Sequence, residues 1–159
     1  MAIFNRKAKP NLSGHLENGE RVLAWTSHSG GDLVVTNFAL LSFDHHENLR
    51  LPWELVLSAK WDEPILIVNA QDTAGDKVNS RAWNLTEPGL VPDSVRERIT
   101  TSQVFDQLKE IPGVGKVRFL ARKGKSGITW ATLAETPVDS NSQTHIDQEL
   151  ESLRQNLGI

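Results

Sequence analysis

The chain reads as one mainly β (α+β) domain, an antiparallel β-roll or barrel ending in an amphipathic helix, and three observations predict it. Short apolar stretches with period-2 alternation recur between residues 21 and 70, with turn residues between them. Residues 116–122 and 128–134 alternate in the same way around Gly124-Lys125-Ser126-Gly127, the pattern of a hairpin. From Asp139 the period changes to 3.6, and Ile146, Leu150, Leu153 and Leu157 fall on one narrow stripe.

The elements follow in order. Residues 1–18 read as a flexible N-terminal segment, and 19–135 as the β-rich body. The first strand is 21–26, with Leu23 and Trp25 on one face. A Ser27-His28-Ser29-Gly30-Gly31 turn leads to strands at 32–36 and 38–43, with Asn37 at the turn between them. In 55–61, Leu55, Leu57, Ala59 and Trp61 face one way, while Val56, Ser58, Lys60 and Asp62 face the other. Pro64 ends that strand, and the continuous apolar run 65–68 reads as a strand covered on both faces. Residues 69–80 have loop composition and are expected to be the mobile segment, followed by a strand at 81–85. A short helix is expected near 93–99, with Ser94 as N-cap and Glu97 as its capping-box partner. Residues 100–111 leave two readings open, a longer helix or a strand. The C-terminal helix, 140–157, carries Ser140 and Gln143 at capping-box spacing, and Gly158 closes it.

Composition bounds function. With 159 residues, 38% hydrophobic and 23% charged, the chain suffices for one domain without staples. The absence of cysteine excludes disulfides, thiol catalysis, thiolate zinc sites and iron–sulfur clusters. A net charge of -3 argues against general nucleic-acid binding. The first ten residues contain no apolar run of the secretory kind, Ala2 stands where myristoylation needs glycine, and no cysteine offers a prenylation site, so a cytoplasmic location is expected.

Gly19-Glu20-Arg21-Val22-Leu23, the strand ending in Thr36-Asn37, the following Leu40-Leu41-Ser42-Phe43, and Leu51-Pro52-Trp53-Glu54 together resemble bacterial pleckstrin-homology-like and GRAM-like domains over residues 19 to about 61. The whole chain is also similar to an uncharacterised bacterial family with Trp-Asp, Trp-x-Leu and Val-Arg-x-Arg-Ile/Val-Thr stretches, here Trp61-Asp62, Trp83-Asn84-Leu85 and residues 95–100. The resemblance implies a curved β-roll with a C-terminal helix plugging one open end, a part that residues 146–157 suit. It does not carry over a phosphoinositide site, because the first hairpin here has no Lys or Arg.

Gly124-Lys125-Ser126 ends a phosphate-loop pattern, but Phe119 occupies the position of its first glycine and a strand follows, so it reads as a basic turn. Asp44-His45-His46-Glu47 offers metal-ligand types, with His28 as a further ligand, yet adjacent histidines on an extended chain point apart. Ser27-His28-Ser29 places nucleophile and base as sequence neighbours, which is poor geometry for catalysis. No constellation has reaction-specific spacing, so neither enzyme activity nor a cofactor is expected.

The most informative surface feature is basic. Residues 112–134 contain no acid but carry Lys116, Arg118, Arg122, Lys123 and Lys125. Alternation puts Lys116, Arg118 and Arg122 on one strand face with Leu120, either a solvated face or a stripe for an acidic partner, lipid headgroup or phosphate. Asp139, Asp147, Glu149 and Glu151 are candidate acids within the chain. Of the five tryptophans, Trp25, Trp61, Trp83 and Trp130 share parity with aliphatic neighbours and read as core. Trp53, after Pro52, is the candidate exposed aromatic.

These features predict a non-catalytic interaction domain for a protein partner. The alternative is peripheral membrane or anionic-ligand binding through the basic hairpin, with Arg6, Lys7 and Lys9. A metal-dependent enzyme built on His28, His45 and His46 is the third reading. The C-terminal stripe either caps the body or forms a homodimer seam.

Overall fold

The computed structural model describes residues 10–72 and 77–159. Among them run ten strands, one 3-10 turn and two helices. The strands β1 (Val22–His28), β2 (Gly31–Thr36), β3 (Ala39–Asp44) and β4 (Asn48–Pro52) form an antiparallel meander. After the 3-10 turn at Trp53–Leu55 come β5 (Val56–Asp62), β6 (Ile65–Gln71) and β7 (Val78–Asn84), a second antiparallel sheet. Helix α1 (Val91–Ser102) leads into β8 (Gln103–Ile111), β9 (Gly115–Gly124) and β10 (Gly127–Ala134), a third sheet with β9 in the middle, and α2 (Ser140–Leu157) ends the chain. The three sheets do not close into a barrel, so of the two expected architectures the open one forms.

Alternation decides which residues meet. Leu33, Val35 and Leu40 of the first sheet face a core that also holds Leu66 and Val68 of the second, Trp53, and Val91 and Val95 of α1. The other face of the first sheet buries Val34, Ala39 and Leu41 with Leu12, so this sheet is covered on both sides and its strands are dense in Val and Leu. Leu12 thereby anchors part of the segment expected to be flexible. Arg6, Lys7 and Lys9 lie outside the described residues.

The residues that carry the family resemblance form one hydrogen-bonded knot. Asn37 Nδ2 donates to the Gly19 carbonyl at 3.1 Å, and the Arg21 amide donates to Asn37 Oδ1 at 2.8 Å. Thr36 Oγ1 donates to Glu20 at 2.5 Å, and Trp53 Nε1 donates to the Thr36 carbonyl at 2.8 Å. Trp53 is therefore a core residue, 3% exposed, and not the exposed ring expected from its place after Pro52. A buried indole needs an acceptor for its N–H, and the end of β2 supplies it.

Helix α1 corrects the expected boundaries. It begins at Val91 with Pro92 in its first turn, Ser94 lies inside it, and the N-cap is Leu90, which makes no side-chain capping bond. It runs past residue 99 to Ser102 because Val91, Val95 and Ile99 recur on one face and dock on the first core. That burial overrides the weak helix preference of Thr100 and Thr101. Gln103 then turns extended and β8 begins, so residues 100–111 divide between helix and strand. The expected 69–80 loop is shorter, since β6 continues to Gln71 and β7 starts at Val78. Residues 73–76, the centre of that loop, lie outside the described residues. In β6, Leu66 and Val68 are buried while Ile65 and Ile67 are half-buried, so its two faces are unequally covered.

Helix α2 covers the third sheet. Ile146 and Leu153 pack on Ile111, Val117 and Phe119, with Leu150 partly buried beside them. Its N-cap is Asp139, whose carboxylate accepts from the Ser142 amide at 2.7 Å, one residue before the expected Ser140. Gly158 closes it with φ 71°, a conformation that glycine adopts without steric cost. Ile146, Leu150 and Leu153 of the stripe are thus covered within the chain while Leu157 stays exposed, and α1, not α2, lies on the core between the first two sheets. No helix among the described residues is long and apolar enough to cross a membrane.

Candidate anion-binding cleft

A β-bulge begins the site. In β5, Val56 pairs with Ala70 and Ser58 with Asn69, so Leu57 is skipped in the register. The bulge turns two consecutive side chains into two cores. Val56 joins the first, while Leu57 packs with Leu120 and Ala131 of the third sheet. It also takes the Leu57 carbonyl out of the ladder, and a buried carbonyl needs a donor.

That donor is Arg122 of β9, whose Nη2 lies 2.6 Å from the Leu57 carbonyl oxygen. Its Nη1 donates to the Ile99 carbonyl at 3.0 Å, in the last turn of α1. The carbonyl groups of a helix's last turn are the negative end of its dipole and favour a cation there. Arg122 is only 2% exposed, yet among the described residues no carboxylate pairs with it, and its Nε has no hydrogen-bond partner. Burial and the neighbouring Arg118 charge pull its pKa below the ordinary value, against a partial offset from Asp106.

Arg122 lines a cleft of about 240 Å³ between α1, β5 and the third sheet, together with Arg96 and Arg118. Arg118 is held by Asp106 of β8, Nε to Oδ1 at 2.8 Å with a second bond from Nη2 to Oδ2. This pairing pushes the Arg118 pKa up and holds the Asp106 carboxyl below its usual range. Trp61, Leu66 and Ile99 lie on its apolar side, and among the described residues no acidic side chain lines the cleft. The arrangement offers a small anion three guanidinium groups beside apolar side chains, the setting for charge-assisted hydrogen bonds.

The five basic residues singled out in the sequence are divided. Arg118 and Arg122 belong to this cleft. Lys123 and Lys125 line another, of about 320 Å³, with Arg98, Phe38 and Trp53. Lys125 is engaged there, pairing with Glu17 at 2.9 Å and lying over the Phe38 ring. Lys116 is exposed on β9. The row of three cations expected on one strand face is broken because Arg122 is buried. The acids that pair with the basic hairpin are Asp106 and Glu17, while Glu149 of α2 pairs with Lys109 of β8 at 2.6 Å. Arg96 was missed in the sequence, since it stands on another element. The signal that could have found it is its position on α1 beside Pro92 and Ile99, which only the fold brings against β9.

The histidines sit elsewhere. His45 and His46 are exposed in the β3–β4 turn, where Asp44 Oδ1 accepts from the His46 and Glu47 amides, both at 2.7 Å. These bonds hold the Asp44 carboxyl below its ordinary value. His28 Nδ1 accepts from the Gly30 amide at 3.1 Å, and its Nε2 lies 3.4 Å from Ser42 Oγ. Ser42 Oγ accepts from Trp83 Nε1 at 3.1 Å. Among the described residues no three His, Cys, Asp or Glu side chains gather as metal ligands.

No family model, no curated protein and no solved structure matches the chain.

Proposed function

We propose that the chain is a non-catalytic binding module that holds a small anion in the cleft formed by Arg96, Arg118 and Arg122. The observation that carries this reading is Arg122 itself, a guanidinium almost wholly removed from water, with an unpartnered Nε and, among the described residues, no carboxylate paired with it; the nearby Asp106 is already bound to Arg118. Burying a charge is costly unless it is compensated, and two carbonyl dipoles compensate it only in part. An incoming anion supplies the missing counter-charge. The same reading gives Arg118 a role, because Asp106 holds its guanidinium in place at the cleft.

We also infer a pleckstrin-homology-like organisation for residues 19–102. What supports it is the meander of four strands, the sheet of three strands and the helix α1 laid across the core between them. On this reading the third sheet and α2 are an addition, and the cleft lies where the addition meets the basic unit.

The test is an amide-resolved NMR titration of the full chain with inorganic phosphate. Shifts concentrated at Leu57, Ser58, Thr100, Gln103 and Arg122, and lost in Arg96→Gln, support the reading. Shifts confined to Lys123 and Lys125, or scattered over all exposed lysines, overturn it.

A further inference from the structure

We propose that the anion is a small phosphate monoester carrying a ring or a short apolar body; this rests on the anion-binding reading above and narrows it to one ligand class. The charge balance comes first. Three guanidinium groups line the cleft and one of them, Arg118, is already paired with Asp106, which leaves two in excess. A carboxylate brings one negative charge, whereas a phosphate monoester brings about 1.5 to 2 near neutral pH and three acceptor oxygens. The guanidinium fork of Arg96 matches those oxygens in geometry as well as charge, while Arg118 and Arg122, engaged by Asp106 and by two carbonyls, contribute chiefly charge.

Hydroxyl donors complete the polar side. Ser58 lines the cleft, and its Oγ accepts from Asn69 Nδ2 at 3.0 Å, which directs its own proton elsewhere. Thr100 lines the cleft from α1. Both can donate to a phosphate oxygen, and an acceptor-rich group uses such donors better than a planar carboxylate does.

The opposite side is apolar. Trp61 and Ile99 are half-buried and present apolar surface to the same space that the arginines enclose, with the buried Leu66 in the core beneath them. A bare inorganic anion leaves that wall facing water; a ring or short hydrocarbon attached to the phosphate covers it. Volume limits the body. At about 240 Å³ the cleft has room for about eight water molecules at about 30 Å³ each. It falls below the range of about 300–1,000 Å³ typical for larger organic ligands, so the part of the ligand that the cleft itself encloses is small.

Calorimetric titration of the full chain with phenyl phosphate, inorganic phosphate, benzoate and phenol tests this. Phenyl phosphate is expected to bind at least tenfold more tightly than any of the other three. Arg96→Gln is expected to weaken that binding at least tenfold, while Lys125→Gln, in the other cleft, leaves it unchanged. Benzoate matching phenyl phosphate overturns the phosphate class while leaving an anion site. Inorganic phosphate matching phenyl phosphate overturns the apolar body. Phenol matching phenyl phosphate, or no binding by any of the three anions, overturns both this inference and the anion-binding reading beneath it. Equal loss in Lys125→Gln overturns the assignment to this cleft.

Discussion

Arg122 donates a hydrogen bond to the carbonyl of Leu57, 65 positions earlier in the chain, at 2.6 Å. One side chain thereby ties the third sheet to the bulge of the second, and its other nitrogen ties both to the end of α1. The joint and the candidate site are built from the same group.

Replacing Arg122 separates the two roles. Arg122→Met keeps most of the volume but leaves the Leu57 carbonyl buried without a donor, while Ile99 keeps its bonds from Ser102 and Gln103. A net loss of about 1–3 kcal/mol is expected from the orphaned acceptor, after the relief of burying no charge. Urea denaturation measures it, and a more stable variant would show that the guanidinium is kept for a ligand and not for the fold.

Helix α2 offers a graded series. Ile146 is 1% exposed, Leu150 is half-buried, and Leu157 is 43% exposed. Ile146→Ala should cost about 2–5 kcal/mol, Leu150→Ala less, and Leu157→Ala under about 0.5 kcal/mol. Chemical denaturation with light scattering checks the order, and a change of association state at unchanged stability would point to a second copy on this helix.

The Glu20 carboxylate predicts an acid limb. Its side chain has no exposed surface, and burial alone would raise its pKa. Hydrogen bonds from Arg50 at 2.7 and 3.0 Å and from Thr36 at 2.5 Å outweigh that and hold it below its ordinary 4.5. The unfolded chain therefore takes up the proton first, and the stability from this group, fully present above pH 4.5, falls as pH drops through the folded pKa. Melting temperatures from pH 7 to pH 3 should show a shallower acid decline in Glu20→Gln, which starts from a lower value at pH 7.

Gly31 should tolerate no side chain. A Cβ there would lie 1.7 Å from the Phe43 carbonyl oxygen and 2.8 Å from its carbon, both backbone atoms that cannot turn aside. Gly31→Ala must push β2 from β3 and is expected to cost about 3 kcal/mol or more. Gly113→Ala meets nothing nearby and pays only for its φ of 78°, a loss of about 1 kcal/mol. Equal melting temperatures for the two variants would contradict the close approach.

Local pattern was enough for the hairpin at Gly124-Lys125-Ser126-Gly127, whose strands pair in unbroken register from Gly127 with Gly124 to Ala134 with Val117. It failed where the register slips. Strict alternation puts Val56 and Leu57 on opposite faces, one buried and one exposed, but the bulge buries both, at 0% and 5% exposure. A bulge has no composition of its own here, so no local signal announced it. Helix α1 was underestimated for a related reason: Thr100 and Thr101 favour extended backbone, and only the docking of Ile99 decides against them.

By its sequence alone this protein is an antiparallel β chain with a C-terminal amphipathic helix closed by glycine, because periodicity and end signals act within a few residues of one another. The basic character of residues 112–134 was also legible. Only the tertiary structure decided which of those cations meet water, which pair with an acid and which is buried. That choice depends on a carbonyl freed in β5 and a helix end laid beside it, tens of residues away, and burial is a property of what covers a side chain, not of the side chain itself.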